Sequence, residues 1–118
     1  MDIEFYWYKA RYRSNYDGDT LRVDVDLGMG IWRANIAVRL FGVDTPELRG
    51  GTPESKALAE KAKAFIADKI DGPLYLNTIR DEAGKYGRLL AVVHTVDGLN
   101  INQALLDEGL ATLYKEKS

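Results

Sequence analysis

Period-two alternation between residues 21 and 40 restricts this chain more than any other feature. Leu21, Val23, Val25 and Leu27 alternate with Arg22, Asp24 and Asp26, and Trp32, Ala34, Ile36, Val38 and Leu40 repeat the pattern after Gly28-Met29-Gly30. A strand turns successive side chains to opposite faces, so the pattern predicts two half-buried strands joined as a hairpin. Residues 3–13 carry aromatics on both parities, which suits a strand covered on both sides for part of its length. Residues 74–79 and 89–94 supply two more strands, five in all.

Helical signals separate these strands. Thr52-Pro53 reads as an N-cap followed by proline at the first helical position, and Leu58, Ala62, Phe65, Ile66 and Ile70 share one face of a helix of about four turns. A second helix is expected to begin near Asn100, with Gln103 placed as in a capping box, and to stop at Gly109. Three strands, a helix, two strands and a helix make an α+β order. It fits a five-stranded OB-fold β-barrel with two helices better than a parallel βαβ fold. The 118 residues suffice for a single domain, 1–118, and the absence of cysteine means that its core needs no disulfides.

Charge excludes some functions. Sixteen basic against eighteen acidic side chains give a net charge of −2, which argues against a protein that grips nucleic acid by bulk positive charge. This disfavours a purely binding OB-fold module, which would want a basic groove and stacking aromatics. No stretch approaches membrane-spanning length, and residues 1–5 lack a basic segment followed by an apolar one. The expectation is a soluble chain, cytoplasmic unless a leader has been removed.

Two segments concentrate chemistry at strand ends. Asp17-Gly18-Asp19-Thr20 opens one strand and Arg39 through Asp44-Thr45-Pro46-Glu47 closes another, so loops can gather four carboxylates and an arginine. Carboxylates that approach one another in a partly desolvated site repel, and a cation relieves the repulsion. With no cysteine and one histidine, the available ligands are oxygens, suited to calcium or magnesium. Each motif alone has a plainer reading: an Asp-Gly turn, a strand stopped by Pro46, an exposed strand arginine, or a surface loop at Lys85-Tyr86-Gly87-Arg88. His94, without a second histidine or a serine in a nucleophile elbow, is a strand residue.

Taken in order, Asp17-Gly18-Asp19-Thr20, Arg39 to Glu47, Lys85-Tyr86-Gly87-Arg88 and residues 102–111 (NQALLDEGLA) resemble the staphylococcal nuclease (thermonuclease) family. The resemblance implies an OB-fold, calcium-dependent phosphodiesterase that cuts DNA and RNA and leaves 3′-phosphates. By position it implies Asp19, Asp44 and the backbone carbonyl of Thr45 as calcium ligands, with Asp17 reaching the ion through water. Glu47 would be the general base, also reaching the ion through water. Arg39 and Arg88 would act on the reacting phosphate, and Lys85, Tyr86 and Tyr114 would contact the nucleotide. The chemistry asks for such residues, because phosphodiester cleavage needs the anion screened, a water delivered in line and the transition-state charge bound. A guanidinium supplies a fixed fork of N–H donors and never loses its proton.

Two departures stand out. The loop after Glu47 (residues 48–52) is shorter than the lysine-rich loop of the secreted prototype, and the family's third, C-terminal helix is expected to be absent. The surface left by that helix, together with Phe5, Tyr6, Trp7 and Tyr8, suggests a homodimer. The alternative to an enzyme is a nuclease-like module that has lost catalysis and binds nucleic acid or protein. Such modules typically lack the acids and arginines retained here.

Overall fold

The structure, a computed structural model, describes residues 5–17, 19–46, 51–79 and 88–113. The chain runs through β1 (Phe5–Asp17), β2 (Thr20–Asp26), β3 (Trp32–Leu40), β4 (Val43–Asp44), α1 (Pro53–Lys69), β5 (Leu74–Ile79), β6 (Arg88–Thr95), α2 (Ile101–Asp107) and β7 (Thr112–Leu113). Five strands close into a barrel in the order β1-β2-β3-β6-β5, while β4 and β7 form a separate ladder. Only the β3–β6 contact of the barrel is parallel. Parallel neighbours need a long crossover, and α1 with β5 supplies it. The α+β barrel of five strands with two helices is the architecture that the element order predicts.

Alternation fills the interior. Leu21, Val23 and Val25 from β2, Val38 and Leu40 from β3, Leu74 and Leu76 from β5, and Ala91 and Val93 from β6 form one buried cluster. Ala62 and Ile66 of α1 and Ile101 and Leu105 of α2 join the same cluster. Burial of this apolar surface is the main force closing the barrel, worth roughly 1.5–3 kcal/mol for each large aliphatic side chain.

The hairpin departs from uninterrupted alternation at one place. Its register steps from Val23 opposite Ile36 to Val25 opposite Arg33, so Ala34 and Asn35 together face Asp24. Asn35 adopts φ 56, and its N–H donates to Asp24 Oδ1 at 2.9 Å while its carbonyl accepts from Arg22 at 3.1 Å. This bulge changes the parity of β3. Val38 and Leu40 therefore face the core, but Trp32 and Ala34, expected on the same face, are exposed.

The first strand extends to Asp17 rather than ending near residue 13, and it holds α1. Asn15 Nδ2 donates to the Lys63 carbonyl at 2.9 Å, and the Tyr12 hydroxyl donates to Asn15. Helix α1 starts as predicted. The Thr52 hydroxyl accepts from the Ser55 N–H at 3.1 Å, and the Ser55 hydroxyl accepts from the Thr52 N–H at 3.0 Å.

Asn100 caps α2 by accepting from the Gln103 N–H at 3.0 Å. The Gln103 side chain does not close the expected box; it donates along the helix to Asp107 at 2.9 Å. Gly109, at φ 72, ends the helix with bonds from its own N–H to the Leu106 carbonyl and from the Leu110 N–H to the Leu105 carbonyl. The chain then turns into β7, which pairs Thr112 with Asp44.

Candidate active site

The start of β2 and the end of β3 are pinned side by side. Thr20 pairs with Arg39, and the Leu40 N–H donates to the Asp19 carbonyl at 2.9 Å. Asp19 is 8% exposed, so its charge needs partners. Its Oδ2 accepts from the Thr45 N–H at 3.1 Å, and its Oδ1 accepts from the Thr20 hydroxyl at 3.3 Å.

Arg39 lies between two acids. Its Nη1 is 3.7 Å from Asp19 Oδ2 and its Nη2 is 3.6 Å from Asp44 Oδ1. The same Nη1 donates to the carbonyls of Leu40 at 2.9 Å and Val43 at 2.7 Å, which holds the guanidinium against the turn between β3 and β4. Gly42 makes that turn at φ 79, a conformation that favours glycine. Two carboxylates and one guanidinium leave this described group one negative charge in excess. The Asp44 side chain, 56% exposed, opens the group to solvent.

Asn102 braces the arrangement from α2. Its side-chain amide donates to the carbonyls of Phe41 at 2.9 Å and Ala91 at 3.2 Å, and its oxygen accepts from the Val93 N–H at 3.0 Å. One buried side chain thereby ties the turn between Arg39 and Asp44 to β6. Sequence reading quoted Asn102 only within a motif; nothing local marks an asparagine as a clamp between distant strands. A cleft of about 200 Å³ adjoins the site, lined in part by Asp44, Thr45, Pro46, Leu58 and Leu110.

Four of the expected site residues, Asp19, Arg39, Asp44 and Thr45, thus come together. The backbone of Asp17 pairs with Thr20 and that of Arg88 with Ala37, two positions before Arg39, but both side chains lie outside the described residues. Glu47, Lys85, Tyr86 and Tyr114 lie wholly outside them. His94 is a β6 residue whose ring lies 5.1 Å from that of Trp7, and burial lowers its pKa.

The donor set fits a hard cation. Asp19 and Asp44 offer carboxylate oxygens, and Thr45, whose backbone N–H reaches Asp19, has a hydroxyl buried without a hydrogen-bond partner. Among the described residues no three acidic or histidine side chains form a ligand group.

Residues 37–118 match the family model described as staphylococcal nuclease homologue. The chain belongs to that family. Among its relatives, an uncharacterized endonuclease of Escherichia coli is 31% identical over 100 residues, covering 85% of this chain and 57% of that protein. The SPbeta prophage-derived endonuclease YokF of Bacillus subtilis is 36% identical over 98 residues, covering 80% and 30%. An uncharacterized protein of Methanocaldococcus jannaschii, MJ1439, is 33% identical over 120 residues, covering 83% and 55%. The chain spans little more than half the length of the first relatives that it matches. The staphylococcal nuclease match begins at Ala37, so Asp19 stands before it and reaches Arg39 through the β2–β3 ladder.

Proposed function

We propose that this domain is a calcium-dependent phosphodiesterase that hydrolyses DNA or RNA to products with 3′-phosphates. The observation that carries the reading is the Asp19–Arg39–Asp44 group, buried on one side and open on the other, in a family whose relatives include proteins named endonucleases. Asp19, Asp44 and the Thr45 carbonyl would hold calcium, with Asp17 and Glu47 reaching it through water. Bound there, calcium supplies positive charge that screens the phosphate.

The chain's own groups do the rest. Arg39 and Arg88 donate N–H bonds to phosphate oxygens, which gather charge as the transition state forms. Glu47 accepts the proton of the attacking water. Lys85, Tyr86 and Tyr114 position the nucleotide. These roles follow the family resemblance. The second reading, a module without catalysis, is separated from the first by incubating a labelled oligonucleotide with the protein in calcium and in excess chelator. Calcium-dependent cleavage supports the enzyme; intact substrate under every divalent ion tested rejects it. Trp7, 59% exposed, and Leu113, 80% exposed, leave apolar surface that a second copy of the chain would cover.

A further inference from the structure

We propose that the outer face of β1–β3 carries a second contact for a single nucleic-acid strand, in which Trp32 stacks on a base and Lys9 and Arg11 meet phosphates. The proposal deepens the nuclease reading and rests on it for the class of polymer. Asp26 is opposite Lys9 in β1 and opposite Trp32 in β3, so these three residues form a row across the sheet. Arg11 stands in the next row, opposite Asp24, and its guanidinium carbon lies 4.5 Å from the centre of the Trp32 ring. The bulge at Asn35 is what turns this tryptophan outward. It remains 41% exposed, where a buried position would be the ordinary fate of so large an apolar ring.

A groove of about 580 Å³ runs beside it, with Lys9, Arg11, Tyr12 and Trp32 on one side and Ile70 and Pro73 on the other. The groove's lining carries two cations, Lys9 and Arg11, against one acid, Asp71, and Asp26 adjoins it in the row between Lys9 and Trp32. Asp24 is ion-paired to Arg13 at 2.7 Å and accepts from the Asn35 N–H, and Asp26 accepts from the Gly28 N–H at 2.8 Å. Only Asp71, on the rim, is an acid of the groove itself. Among the described residues, neither Lys9 nor Arg11 forms an ion pair with a carboxylate. An aromatic ring carried by β3 beside two cations carried by β1 is a combination that holds single strands, with Arg11 against the ring and free to meet a phosphate next to the stacked base.

The geometry sets the length of strand required. Trp32 and Arg39 sit at opposite ends of β3, a separation of about 20 Å at roughly 3.3 Å per residue. That span corresponds to about six stacked nucleotides at ~3.4 Å each. A dinucleotide at the candidate site therefore cannot reach Trp32, whereas a twelve-nucleotide strand can.

The test is equilibrium binding of fluorescein-labelled oligothymidylates, two and twelve nucleotides long, to the whole chain in excess EDTA. Under these conditions binding is read without metal-dependent cleavage. Trp32→Ala should weaken binding of the 12-mer about tenfold and leave the dinucleotide unchanged, and Trp32→Phe should restore most of the loss. Arg11→Gln and Lys9→Gln should each reduce the slope of log affinity against log salt by about one. Circular dichroism of each variant checks the fold. Equal 12-mer affinities for wild type and Trp32→Ala, or no 12-mer binding by wild type, overturn the proposal. A wild type that binds through Trp32 but cleaves nothing in calcium leaves the track standing and removes the nuclease reading. Cleavage with 12-mer binding unaffected by Trp32→Ala does the reverse.

Discussion

Removing the Asn102 side chain should unfold this domain more readily than any comparable surface change. The residue is 5% exposed, and its three hydrogen bonds reach the Val93 N–H and the Phe41 and Ala91 carbonyls. In Asn102→Ala the Ala91 carbonyl keeps a partner, because the Phe41 N–H donates to it at 2.8 Å. Val93 N–H and Phe41 C=O lose theirs. A buried polar group without a partner costs about 1–3 kcal/mol, so two orphans imply about 3.5 kcal/mol. Spread over an unfolding entropy of about 2.1 cal/mol/K for each of 118 residues, that lowers the melting temperature by about 14 °C. In urea, at a slope of about 1.5 kcal/mol/M, the midpoint should fall by about 2 M with the slope unchanged. The assay is urea unfolding followed by tryptophan fluorescence and circular dichroism. A loss below about 1 kcal/mol would refute the clamp, since one satisfied surface amide would account for it.

Other consequences are open to measurement. Asp19→Asn keeps an acceptor for the Thr45 N–H but removes a charge. Calcium at a hundredfold its dissociation constant should stabilise the wild type by about 2.7 kcal/mol and the variant hardly at all; equal calcium shifts in thermal melts would sink the metal assignment. Arg88→Lys keeps charge without the planar fork and should slow single-turnover cleavage about a hundredfold, or ~3 kcal/mol, while oligonucleotide binding changes little. Unchanged turnover would remove Arg88 from the mechanism. Burial depresses the pKa of His94 below its ordinary 6.5, so the unfolded chain takes up that proton more readily. Its contribution is fully present above pH 6.5 and declines as pH falls through the lower folded value. His94→Gln should flatten that part of the urea midpoint against pH, and parallel curves would contradict it.

The barrel was legible because its strands follow elementary rules. Leu21, Val23 and Val25 announce an inner face by alternation alone, and Thr52-Pro53 announces a helix start through local capping chemistry. What escaped were features that depend on a neighbour across the sheet. The bulge at Asn35 exists because Asp24, on another strand, accepts its N–H, and it sends Trp32 outward against the alternation. Gln103 meets the sequence pattern of a capping box, yet Asp107 one turn on competes for its amide and holds it. In the site, Asp19, Arg39 and Asp44 could be named as types of ligand and donor. Their order in space, with the guanidinium between the carboxylates, depends on the Leu40 and Val43 carbonyls that fix Arg39.

The short β4–β7 ladder gives this protein a timetable. Hairpins between β1, β2 and β3 draw on residues adjacent in sequence, and adjacent contacts form early. Asp44 is different, because its ladder partner is Thr112, beyond every strand of the barrel and both described helices. Synthesis proceeds from the amino terminus, so the backbone partner of Asp44 is made after every strand of the barrel. The β4–β7 ladder is therefore the last of the described strand pairings to have its sequence complete.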